Sequence, residues 1–191
     1  KAVAAAGSAL AGLGGYAVKV GSDFEYAISG VAATMGTTVD SIDAIKNKAL
    51  ELGASTKFTA TEAADGFNIL AMAGLSADEQ LQAIGATLNL AAAGEMSMDD
   101  AAGYLTTTVK AMSSSFREAG ISMDDCTHIA DMYAKGATLA KTTTAQLGDA
   151  VSSAASVGGA YNQSLSTITT SLLALAEKGY QGSAAGTYLS R

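Results

Sequence analysis

The 191-residue chain contains no proline, whereas proteins on average place it at about 5% of positions. A protein of strands and tight loops would use proline as punctuation. A helical one can rely instead on glycine and on Ser, Thr or Asp caps. Runs of β-branched or aromatic residues of strand length are also missing, so the chain reads as all-α. Cys126 is the one cysteine, so no intrachain disulfide can form, and that usage fits a reducing compartment. Basic residues number eleven, stand apart from one another and leave a net charge of −7. A stationary nucleic-acid binder needs a positive footprint to neutralise phosphates, and this chain has none. An acidic surface also disfavours direct docking on an anionic membrane. His128 is the one histidine and lies in an acidic helix, so no Ser/His/Asp set can be defended.

What the chain has in abundance is helix grammar. Between Glu51 and Gly94, Thr59-Ala60-Thr61-Glu62 and Ser76-Ala77-Asp78-Glu79 both fit the capping box. In that box an N-cap hydroxyl takes one orphan N–H, and an acid three residues on takes another. Gly53, Gly74 and Gly94 stand where left-handed C-caps would close the preceding helices. Further starts are expected at Ser97, Ser122 and Thr143, and after Asn162. The predicted helices cover about 23–33, 39–52, 60–73 and 77–93, then those opened by the later starts. Each carries an apolar stripe at helical spacing, such as Leu81, Ile84, Leu88 and Ala91, or Met98, Ala102, Leu105, Val109 and Met112. The expected fold is a compact multi-helix domain of about eight short capped amphipathic helices over residues 22–191.

Residues 1–20 precede it as a separate Ala/Gly-rich helix. Its uncharged seventeen residues between Lys1 and Lys19 would span about 25 Å, short of the ~30 Å hydrocarbon core. Gly7, Ala11 and Gly15 place small residues every four positions, which suits close helix packing or a helix that meets a membrane. Ser113–Gly120 reads as an extended connection and a hinge. The first residue is Lys1, and the chain stops at Leu189-Ser190-Arg191 just after a helix start. Both ends therefore read as cut from a longer protein.

Candidate chemistry is sparse. Gly12-Leu13-Gly14-Gly15-Tyr16-Ala17 has the letters of a dinucleotide fingerprint but lacks the strand the motif requires. His128 shares a helix face with Asp124 and Asp131, while Cys126 points elsewhere. Asp124 and Asp125 are explained as first-turn acids. Glu62, Asp78 and Glu79 are committed to caps or first turns, and no acid lies in an apolar run that would raise its pKa. The methionines fall mostly at inward spacings and read as core filling. The expectation is no catalytic residue, no metal ligand and no cofactor. The residues singled out are structural caps: Thr59, Ser76, Ser97, Ser122, Thr143, Gly53, Gly74 and Gly94.

The wording of these helices carries a resemblance. Asp23-Phe24-Glu25 and Gly36-Thr37 begin it, and Ala49-Leu50-Glu51-Leu52-Gly53-Ala54-Ser55-Thr56-Lys57-Phe58-Thr59-Ala60-Thr61-Glu62-Ala63-Ala64 is its densest part. Leu70-Ala71-Met72-Ala73-Gly74, Leu88-Asn89-Leu90-Ala91-Ala92-Ala93 and Lys178-Gly179-Tyr180-Gln181-Gly182-Ser183-Ala184-Ala185-Gly186-Thr187 complete it. In that order these segments resemble the core region of tail tape-measure proteins of long-tailed bacteriophages and prophages. The region Thr106-Thr107-Thr108 and the segment 113–120 depart from the family's smoother helix.

The resemblance implies a structural, non-enzymatic segment that helps set tail-tube length, scaffolds tail assembly from the tip and is released at DNA ejection. It implies a place inside the tail tube of the virion after assembly in the host cytoplasm. The implied partners are other copies of the chain as a homo-oligomer, tail-tube and tail-tip or baseplate proteins, and tail assembly chaperones, with no sequence-specific nucleic acid. The alternative reading is a membrane-active module that contacts the host membrane and aids DNA passage through the envelope.

Overall fold

The computed structural model describes residues 2–112 and 123–191, with side chains from 19 to 112 and from 125 to 191. Among the described residues it holds nine α-helices, one 3-10 turn and no strand. They are α1 (Ala2–Met35), the 3-10 turn Val39–Ile42, α2 (Asp43–Ser55), α3 (Ala60–Met72), α4 (Ala77–Gly94), α5 (Met98–Ala111), α6 (Met123–Leu139), α7 (Thr144–Ala160), α8 (Leu165–Glu177) and α9 (Gly182–Leu189). The chain divides into two units, residues 1–68 and 69–191. The all-α expectation holds. Ser122 and the expected hinge at 113–120 lie outside the described residues.

The break expected near residue 21 does not occur. Helix α1 is continuous over 34 residues, a rise of about 51 Å. Gly21 alone cannot stop it, because an isolated glycine in a helix costs only about 1 kcal/mol relative to alanine. The chain ends the helix where a residue turns left-handed, at Gly36 with φ +65°. No described helix is both long and apolar enough to cross a membrane.

In the first unit, α1 buries Phe24, Ile28, Val31 and Ala32, a stripe at helical spacing. Ile42 of the 3-10 turn, then Ile45, Ala49 and Leu52 of α2, are buried with them. Two polar ties cross between elements: Lys46 to Glu25 at 2.7 Å and the Thr34 hydroxyl to Asn68 at 2.6 Å.

In the second unit α4 is buried on more than the one stripe expected. Ile84, Leu88 and Ala91 are inside, but so are Gln80, Ala83, Ala86, Thr87 and Leu90. The second face is legible only if Gln80 and Thr87 can be interior, and both bond locally, although Gln80 Oε1 has no partner among the described residues. Gln80 Nε2 donates to the Leu75 carbonyl at 2.8 Å, and the Thr87 hydroxyl donates to Ala83 O at 3.0 Å. Helix α4 packs on α5 and α6, while α7 touches α5, α6, α8 and α9.

The six methionines with described side chains are mostly not the core filling expected of them. Met112 is buried, but Met72 is exposed and Met35, Met96, Met98 and Met132 are half-buried. Four of these five stand at helix ends or in the turn between α4 and α5, where little core remains to enter.

Gly85 and Gly103 lie inside α4 and α5 with open space where a Cβ would stand. Gly85→Ala and Gly103→Ala should each stabilise the protein by about 0.5–1 kcal/mol through helix propensity, as read from urea denaturation midpoints.

Candidate functional site

The helix starts are built as local chemistry. The Ser76 hydroxyl accepts from Glu79 N–H at 3.4 Å while Glu79 accepts from Ser76 N–H at 2.8 Å. Thr59 and Glu62 repeat the exchange at 3.1 and 2.7 Å, and Thr143 with Gln146 at 3.1 and 3.0 Å. Ser97 accepts from Asp100 N–H at 3.0 Å. After Asn162, as expected, the last long helix is opened by Ser164, which accepts from Thr167 N–H at 3.1 Å.

The helix stops follow one rule that the sequence only partly discloses. Five left-handed residues end helices: Gly36, Gly74, Glu95, Asn162 and Gly179. After each, the next N–H reaches back to the carbonyl five residues earlier. These bonds are Thr37 to Ala32 at 2.9 Å, Leu75 to Leu70 at 3.2 Å and Met96 to Ala91 at 3.2 Å, with Gln163 to Gly158 at 2.8 Å and Tyr180 to Leu175 at 3.0 Å. This is the Schellman closure, which satisfies orphan carbonyls.

Of the expected stops, Gly74 takes this role. Gly53 does not: it lies inside α2, which is closed by extended Thr56, whose hydroxyl donates to Leu52 O at 2.8 Å. Gly53 is needed for a different reason, since a Cβ there would stand 2.5 Å from Ala60 N. Gly94 is the last residue of α4, and Glu95 takes the left-handed turn with φ 49°. A Cβ on Gly94 would crowd Thr144, at 3.1 Å from its Cβ.

The most organised side-chain cluster lies among α5, α6 and α7. Tyr133 is fully buried, and its hydroxyl meets that of buried Thr108 at 2.5 Å. The Tyr104 ring stands edge-on to Tyr133, with centroids 6.4 Å apart, and donates its hydroxyl to Asp149 at 2.9 Å. Gly148 makes room for that ring, since a Cβ there would lie 2.5 Å from Tyr104 Cδ2. Tyr104 and Thr108 share a face at i, i+4, which is the signal in sequence, but their shared partner Tyr133, on another helix, could not be read from it.

These groups hold protons rather than move them. Burial and the nearby Asp149 push the Tyr104 phenol up to about 12. Burial pushes Tyr133 higher still, against the opposing hydrogen bond from Thr108. Burial, with Asp125 adding to it, lifts the Cys126 thiol to about 11. None is a nucleophile at neutral pH, where the reactive form is the anion.

Against expectation, partial desolvation, with like charge from Glu62, raises the Asp65 carboxyl. Asp65 is exposed on α3, and Glu62 is committed to the Thr59 cap, so the two do not form an acid/base pair. His128 is exposed on α6 while Cys126 is buried, and Asp131 pairs with Lys135 at 3.0 Å. No group of three His, Cys, Asp or Glu that could hold a metal occurs among the described residues.

A groove of about 290 Å³ opens among α7, α8 and α9, lined in part by Ala154, Val157, Tyr161, Ile168 and Leu189. Its lining offers apolar contact, hydroxyls and the Gln163 carboxamide, without an acid or an amine. The arrangement is that of helices held in register, with chemistry spent on caps and packing.

Residues 46–191 match a family described as phage-related minor tail protein. Over 198 aligned residues the chain is 34% identical to the tape measure protein of Pneumococcus phage Dp-1, covering 96% of this chain and 17% of that protein. The chain thus spans about a sixth of the length of that relative. No solved structure matches it. A match over residues 46–191, joined to that identity along nearly the whole chain, shows that it belongs to the phage-related minor tail protein family.

Proposed function

We propose that this chain is a structural, non-enzymatic segment of a tape-measure protein in a phage tail. In that reading it helps set tail-tube length, scaffolds assembly from the tip and leaves the tube at DNA ejection. The observation that carries it is the identity to the Dp-1 tape measure protein along 96% of the chain. The physics is compatible, because a helix converts residue count into distance at 1.5 Å per residue. Capped amphipathic helices can bury their stripes on one another, or against sister copies and neighbouring tail proteins. The polar atoms of the tyrosine cluster and of the caps are used internally, which favours a load-carrying scaffold over a reaction site.

The test is genetic. Deleting the coding sequence for residues 1–191 from a phage that carries it should shorten the tails seen by electron microscopy, by up to roughly 290 Å if the segment is measured as continuous helix, or abolish assembly. Tails of unchanged length in infectious particles would sink the proposal.

A further inference from the structure

One face of α6 stands exposed. His128, Asp131, Met132, Lys135 and Leu139 recur on it at helical spacing. Met132 is half-buried and the other four are exposed, Leu139 to 76%. The inner side of the helix is fixed in place, because a Cβ on Gly136 would stand 2.6 Å from Leu147 of α7 and 3.5 Å from Leu173 of α8. Between α6 and α8 runs a groove of about 260 Å³, with Ser166, Thr170 and Leu173 on its α8 wall. Buried Thr169 also lines it, and its hydroxyl has no hydrogen-bond partner among the described residues.

This face is balanced in charge within a chain that is not. It carries one acid and one base, Asp131 and Lys135, which pair along the helix at 3.0 Å, while the chain as a whole carries −7. Two copies repel one another through their net charge, and least where a surface is neutral. An exposed i, i+4 pair is worth little by itself, so its charges can be shared with a neighbour. Their order decides which neighbour fits. A parallel copy of the same helix sets Asp131 beside Asp131 and Lys135 beside Lys135. An antiparallel copy, related by a two-fold axis level with residue 133, sets each Asp131 against the other copy's Lys135. The same operation lays Leu139 of each copy beside the other's His128.

We propose that the exposed face of α6 is a self-association surface on which a second copy of this chain docks antiparallel. Two Asp131 and two Lys135 form a ring of alternating charge at its centre, and Leu139 closes each end. The two-fold form is self-complementary and stops at a dimer. A contact between single helices is small, so the dimer is weak and forms as concentration rises. The contact gives the tape-measure reading a surface for sister copies and rests on that reading for its purpose alone. A monomeric chain would overturn the contact and leave the tail-length test standing.

Sedimentation equilibrium on the 191-residue chain tests this. The unaltered chain should pass from monomer to dimer with rising concentration, and added salt should weaken the dimer. Lys135→Glu and Asp131→Lys each set like charges face to face and should weaken it about tenfold or more. The double variant Asp131→Lys/Lys135→Glu inverts the order but stays self-complementary, so its dimer should return. An equal mixture of the two single variants should associate although neither does so alone. Both positions are exposed, so the substitutions act on the contact rather than on the fold. An unaltered chain still monomeric at about 1 mM, where a millimolar Kd already populates dimers, overturns the proposal. So does a dimer that the single reversals leave unchanged, or one that the double reversal fails to restore.

Discussion

Tyr133→Ala should destabilise the 69–191 unit by about 3–5 kcal/mol, the cost of emptying a large aromatic site in a packed core. Tyr133 is among the largest fully buried side chains and touches both α5 partners, Thr108 through its hydroxyl and Tyr104 through its ring. Tyr133→Phe separates the two contributions. It keeps the ring but leaves the buried Thr108 hydroxyl without that partner, for a loss of about 1–3 kcal/mol. Urea denaturation followed by circular dichroism measures both. A Phe variant as stable as the parent would mean that the hydroxyl pair contributes nothing.

The same residue sets a pH dependence. A phenol whose folded pKa lies above its unfolded value of ~10 contributes stability that is fully present below that value. It is lost as pH rises through the higher folded value, because the unfolded chain ionises first. Tyr104 and Cys126 act in the same direction. Stability should therefore be flat around neutrality and fall in the alkaline range, with a shallower fall in Tyr133→Phe.

How much of this could be read from the sequence depends on how local the chemistry is. Helix starts were legible because the hydroxyl and the acid or amide that build a cap lie three residues apart, as at Thr59, Ser76 and Thr143. Helix stops were less legible because the left-handed turn is a backbone state and glycine is only its commonest occupant. Glu95 and Asn162 hold that state without being glycine, while Gly21 and Gly53 are glycines without holding it. The second buried face of α4 was hidden because Gln80 and Thr87 are polar and enter the core only by bonding their own neighbourhood. The Tyr104–Tyr133 contact was out of reach because it depends on which helix faces meet. Family membership, by contrast, was carried by the exact wording of residues 49–64, on which the packing physics is nearly silent.

Glycine at 159 is expected to be the least replaceable glycine of α7, and Gly159→Ala should cost about 1–3 kcal/mol, the range for overpacking. A Cβ there would run into the carbonyl oxygen of Ala111 and stand 3.2 Å from its carbon, at the end of α5. Backbone atoms cannot rotate away, so α5 and α7 would have to separate along the contact that also seats Tyr104 over Gly148. Its neighbour provides the control. A Cβ on Gly158 meets the Ile168 side chain, which can change rotamer, and alanine regains up to about 1 kcal/mol of helix propensity. Gly158→Ala should therefore be close to neutral while Gly159→Ala is destabilising, although the two substitutions are chemically identical and adjacent. Thermal melts of both variants beside Gly103→Ala decide it. Equal melting temperatures for the 158 and 159 variants would mean that α5 and α7 do not approach as closely as their backbones require, and that the scaffold is held by its side chains alone.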